Sequence, residues 1–574
     1  MARRRLAVEA LERRLLLAGD VTASVKGGWL VVTGDDQGNQ VQIEDLGGGT
    51  YNVVGMDGET IIGTGPFESP KGIRVDLKGG DDRLVMSGDP VFDVPGDLSI
   101  KMGDGADIVL LENADIDGKT TVDLGKGAGG VTVFGTDFGK DVAVKSGGAS
   151  GEEVWIGIEL ANVIGNLSVT TGKTDDDVWL DGVAVTKNVT IKTGDGEDDA
   201  GVAGWRGEDE GEDEVRSLIE GKLSIDIAKG GGSMWLTEST VMKDVSFKAG
   251  DAPVWTDGLS NGVDVWNATI EGKLTVTLGK GNAGVWFGQV VVNKDVKITT
   301  NNGDDEINFS PAFSGDEPEL AGEGEGDGDY NNIFLGKVTV NTGKGADGVV
   351  IASSHIAGSL TVNTGDGDDG VALWQVQAGS TVSINTGNHS DLIAVVELQA
   401  AGNVTVNSGN AGAGSSDQVL ITDSNMDKNL SVKTGNGDDK VGIGDSVEID
   451  AALADLLAEY EWEDLGIVAE AVAVWGKLTV GTGSGFDLLS IGLCEIAGSA
   501  SVDMGAGDDG CEILDTIVGA GASVKMGAGE DGLAIGDSQV TGKATLDGGA
   551  GSFDGLEDLG GNTFTQPPVI KGFP

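Results

Sequence analysis

Hydrophobic and polar residues alternate along most of the chain in short runs, each broken by a glycine-rich turn. Gly165 to Val185 is typical: Gly-Asn-Leu-Ser-Val-Thr-Thr-Gly-Lys-Thr-Asp-Asp-Asp-Val-Trp-Leu-Asp-Gly-Val-Ala-Val. Leu167, Val169, Val178 and Leu180 fall at period two, so they share one face of extended strands. The same unit opens at Gly96, Gly118, Lys187, Gly221, Lys243, Gly272, Lys294, Gly336, Gly358, Gly498 and Gly542. The spacing between neighbouring units is about 22 residues, which marks a stacked-repeat architecture. A strand–helix–strand unit needs about 30 residues, so each repeat suits one coil of a parallel β-solenoid. The fold class expected is therefore all-β: a parallel β-helix, right-handed by prior.

About nineteen such coils at roughly 4.8 Å spacing would form a rod on the order of 90 Å long. Each coil is expected to hold a first strand of the type Leu-Thr-Val-x-Thr, a turn, and a second strand of the type Val-x-Leu. Residues 21–95 read as looser strands that cap one end, because an open coil would bare its core and a strand edge. Residues 96–548 carry the repeats, and 549–574 read as a tail or cap. Insertions near 199–220, 311–335 and 446–475 break the period. Each is expected between a second strand and the next first strand, so all leave along one edge. Two contain acidic runs, 207–214 and 322–329, that read as solvated loops. Residues 451–462 have a helical period and read as a short helix packed on the coils.

Composition narrows the partners. Asp and Glu number 94 against 37 Lys and Arg, a net charge of −57. Nucleic acid and anionic membrane surfaces both require a basic footprint, so neither is expected. No apolar run is long enough for a transmembrane helix, and no membrane insertion is expected. Disorder is excluded by the regular alternation and a 39% hydrophobic content. Cys494 and Cys511 are not one repeat apart, which leaves a disulfide and a pair of buried free thiols both open.

The sharpest chemical motif is Gly-x-Gly-x-Asp, ending at Asp107, Asp198, Asp347, Asp369, Asp439, Asp487, Asp509 and Asp531. It resembles the calcium-binding nonapeptide of repeats-in-toxin (hemolysin-type) proteins. The resemblance implies glycines that turn carbonyls toward an ion and an aspartate that closes the site. It covers one turn per coil, where that family has two on a shorter coil. Thr, Met or Leu usually stands at the family's first glycine, and Gly125–Gly129, Lys229–Gly232 and Gly279–Gly284 lack the aspartate. Calcium is therefore expected at a few turns, mainly in 343–371 and 435–531, rather than along a continuous ladder. Stacked carboxylates about 5 Å apart repel by about 3 kcal/mol at an effective dielectric near 20. Such a column needs a counter-ion, solvent, or raised pKa values.

Trp155, Trp179, Trp235, Trp255 and Trp286 each follow the apolar residue that opens a second strand. If that residue points inward, the tryptophans form a partial aromatic column outside; the reverse register buries them. His355 and His389 lack metal-ligand spacing, and no catalytic signature is present. The basic N-terminal stretch, with Leu11-Glu12-Arg13-Arg14-Leu15-Leu16-Leu17-Ala18, resembles the LEPR-xLL segment of large exported planctomycete-type proteins. That resemblance implies that residues 1–20 are an export or sorting tag and that the chain works outside the cell or at its surface. The function expected is structural or adhesive, non-enzymatic, with polysaccharide or other surface proteins as partners. The alternative is a carbohydrate-binding or polysaccharide-cleaving β-helix protein.

Overall fold

A computed structural model describes residues 19–56, 60–63, 65–69, 71–148, 153–206, 214–253, 260–310, 332–411, 415–444 and 471–574. The described residues form strands and turns with no helix, and parallel coils about 22 residues apart make a β-solenoid of about 20 turns. Two compact units are distinguished: residues up to Ala200 with Gly204–Ile219, and Gly201–Ala203 with Glu220–Pro574. Residues 1–18 of the expected 1–20 sorting segment, residues 207–213 and 322–329 of the acidic runs, the helical period at 451–462 and Trp255 lie outside the described residues.

The first unit begins with antiparallel pairs, Asp20–Lys26 with Trp29–Thr33 and Gln40–Asp45 with Thr50–Gly55. Trp29–Thr33 then pairs in parallel with Gly72–Asp76, and Gln40–Asp45 with Arg83–Val94. From there each coil repeats. In the second unit, Ala500–Asp503 stacks on Ala522–Lys525 and Gly510–Leu514 on Gly532–Gly536. Ile517–Val518 stacks on Gln539–Val540. Residues 549–574 continue this ladder rather than trailing off as a tail, with Val569–Lys571 paired to Ala544–Asp547.

Two features differ from the expectation drawn from the pattern. A coil has three strands, not two: the long second strand bends and continues as a strand of two or three residues. The bend is made by one residue in the left-handed region, such as Leu160 (φ 49°), Gln289 (φ 55°) or Asp515 (φ 44°). A strand this short leaves no period to detect. The insertions leave at the same bend. They run from Asp199–Ala203 to Ser217–Ile219, from Glu306–Phe309 to Asn332–Phe334, and from Lys440–Ile443 to Val472–Val474. Each therefore precedes the third strand, not the next first strand. The bend tolerates insertion because its single residue makes no continuous ladder across it.

The core is the inside of the coil. Val502, Cys511 and Val518 stack on Val524, Leu533 and Val540, and all are buried. Burying each such side chain stabilises by about 1.5–3 kcal/mol. Both cysteines are buried and free, which settles their alternatives in favour of thiols. Outside, lysine and aspartate one coil apart form exposed pairs, such as Lys222 with Asp244 at 2.8 Å and Lys344 with Asp366 at 2.6 Å. Exposed pairs contribute roughly 0–1 kcal/mol each, so they relieve charge rather than hold the stack.

The turn glycines are sterically required. Gly505 and Gly507 have φ of 100° and 145°, and a Cβ at Gly507 would lie 1.5 Å from the carbonyl oxygen of Gly485. At Gly532 a Cβ would meet nothing within 4 Å. Gly507→Ala is accordingly expected to destabilise by roughly 1–3 kcal/mol. Gly532→Ala is expected to stay within about 0.5 kcal/mol of the parent in the same urea unfolding experiment followed by circular dichroism.

Candidate functional sites on the turns and the outer face

The eight aspartates singled out by the turn motif do not face solvent. All are buried, from fully to 3% exposed, at the corner where the turn enters the long strand. There the backbone leaves the sheet ladder, so an amide N–H loses its usual acceptor. The carboxylate of the following coil replaces that acceptor. Asp347 N–H donates to Asp369 Oδ1 at 3.0 Å, and Asp369 N–H to Asp391 Oδ1 at 3.0 Å. The second unit carries this chain from Ala283 N–H through Asp305, Asp347, Asp369, Asp391, Asp417, Asp439, Asp487, Asp509 and Asp531 to Asp554. The first unit has shorter stretches, Asn39–Asp82–Asp107 and Asp176–Asp198.

The second carboxylate oxygen is held from the preceding strand. Thr342, Thr364 and Thr386 donate their hydroxyls to Asp347, Asp369 and Asp391 at 2.6 Å, and Thr193 donates to Asp198 at 2.7 Å. This explains the threonine that stands where the resembled motif has its first glycine. Where Met102, Met504 or Met526 occupies that position, Oδ2 of Asp107, Asp509 or Asp531 has no partner.

Asp305, Asp391, Asp417 and Asp554 belong to the same ladder, although the two-glycine motif misses them. In the Asp391 turn His389, with φ 94°, stands in place of the second glycine. A looser pattern, Thr-Gly-x-x-x-Asp, finds Asp391 from sequence. His389 is exposed, and its Nδ1 lies 2.6 Å from the Asn388 carbonyl oxygen; His355 Nδ1 lies 2.6 Å from Gln377 Oε1.

Burial disfavours the charged carboxylate, and it is the main cause of the shifts along the column. It pushes the pKa of Asp107, Asp305 and Asp487 up to about 6, of Asp198, Asp347, Asp417 and Asp509 to about 7, and of Asp391 to about 8. Asp369, Asp439 and Asp531 move in the same direction for the same reason. Burial thus favours raised pKa values as one relief for the stacked carboxylates.

These residues do not fit a calcium site of the resembled kind. One carboxylate oxygen is committed to an amide; the other accepts from a hydroxyl at Asp198, Asp347 and Asp369 and is buried without a partner at Asp107, Asp439, Asp487, Asp509 and Asp531. The turn carbonyls are committed too: Gly483 O accepts from Ala506 N–H at 2.9 Å, and Gly505 O from Ala528 N–H at 3.0 Å. Among the described residues no three His, Cys, Asp or Glu side chains converge as a ligand set.

The tryptophans point outward. Val154, Val178, Met234 and Val285 are buried in the core, while Trp155, Trp179, Trp235 and Trp286, one position later, are half-buried on the outer face. Trp155 and Trp179 stack with centroids 6.5 Å apart, and Trp179 Nε1 donates to Glu159 Oε1 at 3.1 Å. Three of the rings lie over a glycine of a neighbouring coil: a Cβ at Gly130 would sit 2.1 Å from Trp155, one at Gly157 would sit 2.5 Å from Trp179, and one at Gly201 would sit 2.1 Å from Trp235. The column is interrupted. Asp264 stands in register between Trp235 and Trp286.

No family model matches the chain, and no curated protein is similar to it.

Two outcomes are expected. The buried aspartates bind protons more tightly folded than unfolded, where their pKa is about 3.9. Their stabilisation is full below that value and is lost as pH rises through about 6 to 8. The melting temperature should therefore fall between about pH 5 and about pH 8 at fixed ionic strength. Asp391→Asn should flatten that slope, whereas Asp391→Ala should cost about 1–3 kcal/mol by orphaning the Asp369 N–H. Separately, melting in a calcium chelator and in added calcium at matched ionic strength should give the same midpoint.

Proposed function

We propose that this chain is a non-catalytic structural or adhesive protein of a cell surface or extracellular matrix. The observation that carries this reading is the self-sufficiency of the stack. Its corner amides find acceptors within the chain and its apolar core is closed along the coils, which leaves the outer faces for contacts with other molecules. Three further corners repeat the device seen at the turn aspartates. Asn166 N–H bonds Asp141, Ala346 N–H bonds Asp304, and Val290 N–H bonds Asn332. The outer surface carries the excess of acid over base, which keeps the chain soluble and self-repelling at high concentration. Repetition of one outer surface from coil to coil suits multivalent attachment, where weak contacts add through effective concentration.

The reading is tested by location. In intact source cells, protease added outside should remove the protein without releasing cytoplasmic markers, or the protein should fractionate with shed matrix. Recovery only from the cytoplasm of lysed cells would overturn the proposal.

A further inference from the structure

The second unit carries a cleft on the outer face of the long strands, with a volume of about 620 Å³. That lies within the roughly 300–1,000 Å³ typical of small-ligand sites. Four coils build it, at Gly232–Thr237, Asn261–Trp266, Ala283–Gly288 and Glu306–Phe309. In the parallel register, Asp264 lies beside Trp286 and Trp286 beside Asn308, while Thr237, Trp266 and Gly288 form the next row. Gly288 lets the Trp266 indole lie flat on the sheet; a Cβ there would be 2.0 Å from the ring. Trp266 and Trp286 thus supply two aromatic surfaces, with Asp264, Glu306, Asn308 and Thr237 between and around them.

Asn308 is the informative member. It borders the cleft, is only 1% exposed, and neither its Oδ1 nor its Nδ2 has a hydrogen-bond partner. A buried carboxamide left unpaired is costly, and native structures rarely keep one without a reason. Its chemistry also selects the ligand. Nδ2 requires an acceptor and Oδ1 a donor, so the occupant must offer both. A quaternary ammonium offers neither, and a phosphate or uronate offers no match for the carboxylates of Asp264 and Glu306. A neutral sugar offers hydroxyls that donate and accept, and an apolar ring face that packs on an indole.

We propose that Trp266, Trp286, Asp264 and Asn308 form a binding subsite for a neutral pyranose unit of a polysaccharide. This names the ligand of the adhesive reading and rests on it only for the polymer that presents the sugar. The indoles would hold the ring faces. Asn308 would fix one hydroxyl by a donor–acceptor pair, and Asp264 would accept from another. Water reaches Asp264, but the surrounding atoms displace much of its hydration and hold its pKa above the ordinary carboxylate value.

The test titrates the full chain with cellohexaose, xylohexaose, mannohexaose and laminarihexaose, following tryptophan fluorescence. Chitosan hexamer and hexagalacturonate serve as the cationic and anionic arms. At least one neutral hexamer should give a saturable change that neither charged hexamer matches. Trp286→Phe should weaken that response, and Asn308→Leu should weaken it by about tenfold or more. Trp179→Ala, in the first unit, should leave it unchanged. Asn308→Leu should also raise the melting temperature of the free protein, which separates lost binding from lost folding. No saturable response to any neutral hexamer overturns the proposal. So does a response that survives both cleft substitutions, or one matched by the chitosan hexamer. A negative titration with the protein at the cell surface removes the sugar assignment alone. A positive titration with a purely cytoplasmic protein removes the surface reading alone.

Discussion

Parallel stacking is held in register by one recurrent bond: in the second unit from Ala283 onward, the amide at the start of the long strand donates to an aspartate one coil further on. Sheet hydrogen bonds alone would leave that amide orphaned, because the turn interrupts the ladder. The bond demands a small acceptor on a short side chain, buried at a fixed distance, which is what Asp369 or Asp509 provides. The surrounding choices follow from it. Glycine precedes it so that the turns of successive coils can approach to carbonyl contact, and in several coils a threonine stands behind it and holds the second oxygen.

Much of this architecture was legible in the chain. Period two placed Leu167, Val169, Val178 and Leu180 inside, and the spacing of about 22 residues set the coil. What escaped is local. A third strand of two residues, such as Ile517–Val518, has no period, and its entry through a left-handed Asp515 has no strong residue signature. The turn motif located Asp347 and Asp439 but not the direction of their side chains. A Gly-Asp turn looks the same whether the carboxylate faces an ion outside or an amide inside. The threonine five positions earlier distinguished the two, and its significance lay in the departure from the resembled pattern.

The charge of the chain divides accordingly. Outside, excess carboxylates are hydrated or spaced by lysines such as Lys248 and Lys344. Inside, the aspartates of the ladder hold their protons to higher pH than ordinary carboxylates because desolvation opposes their ionisation. A formal net charge of −57 therefore overstates the field within the stack. Carboxyls of one residue type do two different jobs, separated only by which side of the wall they stand on. The outer aromatic residues obey a matching rule: indoles lie flat where a neighbouring coil offers glycine, as Trp266 does on Gly288.

The ladder bond also has a direction. In every rung of the second unit the donor belongs to the earlier coil and the acceptor to the later one. Each of these buried amides is thus completed by the following coil, whereas exposed turn amides such as that of Ala346 are completed by the preceding one. A stack built from such bonds has a sense: removing a coil from the downstream side strands a buried donor, whereas removing one from the upstream side strands exposed turn donors such as Ala346 N–H, which water can satisfy. Synthesis makes the coils in the order in which these amides are closed but always one coil ahead, so the buried amide of a nascent coil stays unpaired until the next coil has arrived.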